Sequence, residues 1–240
     1  MGTTSEHREG GSVIRYDSAV IEVMEPGLFD VDWLRSKGCL VGQSRGRSQA
    51  YFLNYAGRQM VLRHFRRGGL IGRFNPDLYF RLGVERSRAM REFDLLGWMR
   101  AEGLPVPRPI AARHAPVGLF CRADIITERI SEARPLEDVL RERQLSAVVW
   151  QAVGRVVRQM HDHGVYHSDL NCRNILLDDR KQVWLIDFDK CERRAPGDWA
   201  QGNLDRLQRS LRKESTRPTG LNWEEAAWSD LIEGYSGAKD

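Results

Sequence analysis

With 240 residues, 41% of them hydrophobic and 29% charged, the chain is long enough for a buried core and polar enough to remain in water. No apolar run approaches the ~20 residues that a membrane-spanning helix needs, and Met1 to Gly10 lacks an apolar signal region, so a cytosolic protein is expected. Four cysteines (Cys39, Cys121, Cys172 and Cys191) lack C-x-x-C spacing, which argues against a zinc site and against a disulfide framework. The net charge of +4 is unevenly spread. Between Arg58 and Arg91 stand nine arginines and two acids, Asp77 and Glu85, a local excess of +7. That excess reads either as a solvated basic face or as a surface for an anionic partner.

In chain order, residues 1–12 are polar and Gly-rich and read as a loosely held tail. Residues 19–24 read as a strand broken by Pro26-Gly27, and Asp30 is placed to cap a short helix over 31–37. Residues 39–42, 50–53 and 60–65 read as three successive strands. Gly42, ending the first strand, and Gly46, in the link over 43–49, belong to a stretch that lacks the full G-x-G-x-x-G pattern and serves either as an ordinary hairpin turn or as a loop covering phosphates. Helical spacing over 85–102, through Met90, Phe93, Leu96 and Met99, stops at Gly103. Pro105, Pro107 and Pro109 then begin an extended segment, and 119–126 is a further strand. Helices are expected over 135–143, 146–163, 201–213 and 222–232.

Chemistry concentrates in His167-Ser-Asp-Leu-Asn-Cys-Arg-Asn174 and in two short apolar runs, Ile175 to Leu177 and Val183 to Ile186, the second leading into Asp187-Phe-Asp189. Phosphoryl transfer from a nucleotide needs a carboxylate that orients the attacking hydroxyl and accepts its proton. It also needs oxygen ligands that hold Mg²⁺ against the phosphates. Asp169, Asn174 and Asp187 fit those jobs in that order, and the alternative is an Asp-rich hairpin whose acids cap turns. Asp189 is either a second metal ligand or a cap. Cys172, inside the loop, reads as a packing residue.

The pattern H-x-D-L-x-x-x-N-I-L-L followed by D-F resembles the catalytic and metal loops of the protein-kinase superfamily. The resemblance implies an α+β, bilobal fold in one kinase-like domain over 1–240. Its small antiparallel lobe would cover about 13–126, its hinge 127–131 and its mainly helical lobe 132–240, with the nucleotide between lobes. It implies ATP and Mg²⁺ as cofactors, with Arg63 standing where the family carries a phosphate-binding lysine. Glu92 is its expected carboxylate partner, with Glu85 as fallback. Gly42, Gly46 and the backbone of Glu128 and Ile130 are expected on the nucleotide.

Departures narrow the substrate. Ser168 replaces the arginine of regulated protein kinases, the metal motif is Asp-Phe-Asp, no Ala-Pro-Glu follows, and 51 residues remain after Asp189. Within the superfamily the chain resembles the lipopolysaccharide kinases that act on 3-deoxy-D-manno-octulosonic acid (Kdo). The likeness is carried by Val61 to Leu70, Pro105 to Pro109, His167 to Asn171 with Asn174, Asp187 to Lys190, and Asn203 to Lys213. That resemblance implies ATP-dependent phosphorylation of the 4-hydroxyl of Kdo on a lipid A precursor. The place would be the cytoplasmic face of a bacterial inner membrane, with an anionic membrane surface as partner and no nucleic acid. Two alternatives stay open, a compact atypical protein kinase and a nucleotide-binding pseudokinase scaffold. Between Gly68 and Gly83, apolar residues alternate with Arg73 and Arg81, which reads as burial in the small lobe or as an interfacial segment.

Overall fold

Alternation of apolar and polar residues builds the first part of the chain into sheet. The computed structural model describes residues 3–44, 50–65, 79–80, 83–118 and 120–237, and the chain divides into two compact units. The first takes in residues up to 101 and 107–129, and the second 102–106 and 130 onward.

In the first unit β1 (Thr4–Glu9) and β2 (Ser12–Asp17) form a hairpin, so the expected tail over 1–12 is corrected. Gly10 and Gly11, at φ of +55° and +80°, supply the turn that only a residue without Cβ takes easily. β1 has little to bury and is held by backbone pairing, which composition does not reveal. The expected strand over 19–24 is also absent. The Asp17 carboxylate accepts from Ala19 N–H (3.0 Å) and its carbonyl accepts from the N–H groups of Val20 and Ile21, which curls the chain. The apolar residues of the run still reach the core: Val20, Ile21 and Met24 are buried.

A 3-10 turn (Pro26–Phe29) follows, then α1 (Val31–Ser36), where Asp30 caps the N–H groups of Asp32 and Trp33. The remaining strands are β3 (Leu40–Gln43), β4 (Ala50–Tyr55), β5 (Arg58–His64), β6 (Tyr79–Phe80), then, after α2 (Arg88–Ala101), β7 (Pro109–Val117) and β8 (Phe120–Glu128). The sheet runs β1-β2-β7-β8-β5-β4-β3, with β6 also paired to β8, and every pairing is antiparallel. Along β5, Met60 and Leu62 point into a core shared with Leu28, Phe29, Leu34, Leu53 and Ile126. Residues one step off that period point to the other face, so Arg63 faces α2. That helix begins three residues later than expected.

The second unit contains β9 (Arg134–Pro135), α3 (Leu136–Glu142), α4 (Ala147–Asp162), β10 (Val165–Tyr166), β11 (Ile175–Leu177), β12 (Val183–Leu185), β13 (Glu192–Arg193), α5 (Trp199–Ser215) and α6 (Glu225–Ser236). β11 and β12 pair as a hairpin, closed by the Asp178 carboxylate on the N–H groups of Arg180 and Gln182. Residues 102–106 join this unit because Leu104 and Val106 are buried and Pro105 O accepts from Leu185 N–H. The antiparallel sheet and the six α-helices of the described residues make the protein α+β.

α4 and α6 meet backbone to backbone. A Cβ on Gly154 would fall 2.0 Å from Leu231 O, and one on Gly234 would fall 2.1 Å from Gln151 O. Gly154→Ala should therefore cost about 3 kcal/mol, at the upper end of ordinary overpacking. Gly202→Ala, in the open on α5, should instead gain about 0.5–1 kcal/mol from helix propensity. Urea unfolding of the two variants checks both signs.

Candidate active site

The acidic loop lies between β10 and β11 and is pinned from one side by α5. His167 N–H donates to Asn203 Oδ1 (3.1 Å), and Asn203 Nδ2 donates back to His167 O (2.9 Å). Both residues are buried, so the pair satisfies backbone groups that have no ladder partner. One helical face continues the contact. Arg206 Nη1 lies 3.5 Å from Asp169 Oδ1, Ser210 Oγ accepts from Cys172 N–H (3.1 Å), and Glu214 pairs with Arg173 (3.3 Å). Positions 203, 206, 210 and 214 are spaced to share a face, and they meet 167, 169, 172 and 173 in order.

His167 links the two acidic turns. Its Nδ1 accepts from Asp169 N–H (3.2 Å), and its Nε2–H donates to Ile186 O (3.1 Å). The ring is fully buried, which pushes its pKa down, and only the neutral tautomer makes both bonds. Ser168 Oγ donates to Asp189 O (2.6 Å), and Ile186 N–H donates to Asn174 O (3.0 Å). Phe188 lies against the His167 ring at 4.9 Å between centroids. Asp187 follows at φ +66°, a left-handed conformation that Asp tolerates better than most residues.

The Asp169 carboxylate stands out of the loop, 62% exposed, while its carbonyl accepts from the side-chain amides of Asn171 and Asn174, each at 2.9 Å. The second bond commits the Asn174 amide nitrogen and leaves its oxygen as the remaining acceptor. That oxygen and the Asp187 carboxylate are hard donors of the kind Mg²⁺ takes. Cys172 is buried, and burial pushes its thiol up to about 11, which fits packing and not chemistry.

In the first unit the structure joins Arg63 to Glu92. Arg63 Nη2 lies between both Glu92 oxygens, 2.6 Å from Oε2, and the carboxylate is buried under α2. Glu85 does not share this pair: it is exposed and bound by Arg15 at 2.8 Å. Gly42 lies on β3, and Gly46 lies outside the described residues, as do Arg66, Arg67 and Arg73. Glu128 closes β8, and its N–H already donates to Arg108 O (2.8 Å).

The family model described as the lipopolysaccharide kinase (Kdo/WaaP) family matches residues 31–235. The chain belongs to the lipopolysaccharide kinase (Kdo/WaaP) family. It is 40% identical over 231 residues to a protein of Vibrio parahaemolyticus serotype O3:K6 named 3-deoxy-D-manno-octulosonic acid kinase, covering 96% of this chain and 97% of that one. Proteins of the same name from Vibrio cholerae serotype O1 and Haemophilus influenzae are 40% and 39% identical. They cover 92% and 86% of this chain, and 93% and 89% of their own. Membership of a kinase family implies ATP as a substrate.

For this member of the Kdo/WaaP family, sequence reading assigned no role to Asn203, Arg206 or Ser210. The signal was present as a polar stripe, Asn203, Arg206, Ser210 and Glu214, beside an apolar one, Leu204, Leu207 and Leu211. A helix with a core face ordinarily turns its polar face to solvent, so the stripe by itself did not single out the loop as its partner.

Two outcomes follow from the pinning. Asn203→Ala leaves a buried N–H and C=O of His167 unpaired and should cost about 2–4 kcal/mol in urea unfolding. The second concerns His161, on α4, which donates from Nε2 to Asn203 Oδ1 (3.3 Å) and accepts at Nδ1 from the Tyr235 hydroxyl (2.9 Å). Burial pushes it from 6.5 down to about 4. The neutral ring is the folded form, so its stabilisation is complete above about pH 6.5 and is lost as the pH falls toward 4. Stability should drop by about 2 kcal/mol between about pH 7.5 and pH 5 through this group, and His161→Gln should flatten that part of the slope.

Proposed function

We propose that the protein is an ATP-dependent kinase that phosphorylates the 4-hydroxyl of Kdo on a lipid A precursor. The observation that carries this reading is the held cluster of Asp169, Asn174 and Asp187 in a chain 40% identical, over almost its full length, to a named Kdo kinase. Asp169, exposed at the head of the loop, orients the acceptor hydroxyl and takes its proton. Asn174 and Asp187 are the residues that would hold Mg²⁺, and the ion would supply positive charge against the nucleotide phosphates. Arg63, fixed by Glu92, holds nucleotide phosphates, and an arginine there serves as well as a lysine because its fork matches phosphate oxygens. With the Glu128 N–H engaged, backbone pairing to a base from this stretch falls to the Glu128 carbonyl and to Ile130.

Peripheral attachment to the cytoplasmic face of a bacterial inner membrane belongs to the same proposal. Its support is the arginine excess between Arg58 and Arg91 together with the anionic acceptor. Among the described residues no helix is long and apolar enough to cross a membrane.

Incubation with ATP, Mg²⁺ and Kdo-lipid A precursor should add one phosphate to the Kdo, read by mass spectrometry. Unmodified acceptor beside protein-directed transfer would overturn the reading. Asp169→Ala should lower the rate by about 10²–10⁴-fold while nucleotide still binds. Asp187→Ala should make nucleotide binding far more dependent on Mg²⁺ concentration, and Arg63→Ala should lose more activity than Arg63→Lys.

A further inference from the structure

α5 carries a feature that the transfer chemistry does not use. Arg206, Arg209 and Lys213 are exposed and fall at i, i+3 and i+7, so they form one ridge about 10 Å long. The neighbouring cation Arg212 is neutralised by Glu225 at 2.5 Å, and Asp205 is bonded to Gln201. Among the described residues no carboxylate pairs with Arg209 or Lys213.

The ridge begins at the catalytic carboxylate. Arg206 lies 3.5 Å from Asp169, at the outer limit of a hydrogen bond, with the two side chains 44% and 62% exposed. Such a pair adds little to stability and opens easily. An acceptor whose hydroxyl reaches the Asp169 carboxylate must lie within about 3 Å of it, which brings its neighbouring groups within reach of Arg206, 3.5 Å from that carboxylate. The same helix face fixes the loop through Asn203 and Ser210, so cations and carboxylate are held in one frame.

We infer that Arg206, with Arg209 and Lys213 behind it, forms the subsite for the acceptor's anionic groups, a sugar carboxylate or a lipid-linked phosphate. The inference rests on the kinase reading above and specifies which residues select the acceptor. Arg206 exchanges its weak contact with Asp169 for a charge-assisted bond to the incoming anion. The guanidinium fork suits either anion, and three cations in a row favour an acceptor with more than one charge.

Initial rates with MgATP and Kdo-lipid A precursor in neutral detergent micelles test this. Arg206→Gln should raise the acceptor KM about tenfold to a hundredfold, leave the KM for ATP near wild type, and be partly rescued by Arg206→Lys. Arg209→Gln with Lys213→Gln should raise the acceptor KM about fivefold. A dephosphorylated acceptor separates the two anions: an Arg206→Gln effect that persists assigns the carboxylate, and one that vanishes assigns the phosphate. Unchanged acceptor KM in both variants overturns the subsite. So does a loss of kcat that matches the loss of acceptor-independent ATP hydrolysis, since the guanidinium would then serve the transferred phosphoryl group. If wild type transfers no phosphate to this acceptor, the kinase reading fails separately. Binding to micelles carrying the precursor still tests the ridge. Weaker binding by the triple glutamine variant supports it, and binding equal to wild type overturns it.

Discussion

The reciprocal pair between Asn203 and the backbone of His167 is the constraint on which the candidate site depends. An irregular loop cannot satisfy its own backbone as a strand or helix does, and a buried unpaired N–H or C=O costs about 1–3 kcal/mol. One asparagine amide meets both needs of His167 at 3.1 and 2.9 Å. With that residue fixed, its ring holds Asp169 N–H on one side and Ile186 O on the other. The two acidic turns are thereby set in register through a single neutral imidazole. Protonation would turn the Nδ1 acceptor into a donor facing an N–H, which is why the site tolerates only the neutral form.

Behind the loop, charge is managed by pairing. Glu137 and Glu214 are buried, and Arg141, Arg173 and Arg217 surround them, with Arg173 touching both carboxylates. Arg173 thus ties the loop to α3 and α5. In the first unit, the buried carboxylate of Asp124 is paired with Arg113 at 2.7 Å and hydrogen-bonded to His64 at 2.5 Å, while Glu92 is paired with Arg63. Buried ion pairs of this kind contribute modestly to stability, because desolvation offsets attraction. Their value here is geometric: each fixes the direction of one cation or one loop.

Regular elements with a strong period were legible. The apolar spacing of α4, the alternation of β5 and the Asp30 cap each encode their structure within a few residues. The N-terminal hairpin was not, because β1 lies at the sheet edge and is held by backbone bonds to β2 that any side chain permits. The run over 19–24 had strand composition, yet Asp17 offered its backbone a local turn. Composition recorded burial there and could not record conformation.

The sequence by itself determined the family likeness and the candidate chemistry: the identity and spacing of Asp169, Asn174 and Asp187, and the arginine at position 63. These are local facts, since each loop is short and its residue types dictate what it can bind. Tertiary structure decided which partners hold that chemistry. It chose Glu92 over Glu85 for Arg63 and brought Asn203, Arg206 and Ser210 from 36, 37 and 38 residues away onto the loop. Those contacts arise because α5 must bury Leu204, Leu207 and Leu211. The face beside that apolar stripe then meets the loop, a consequence of helix rotation in the packed core that no local pattern encodes.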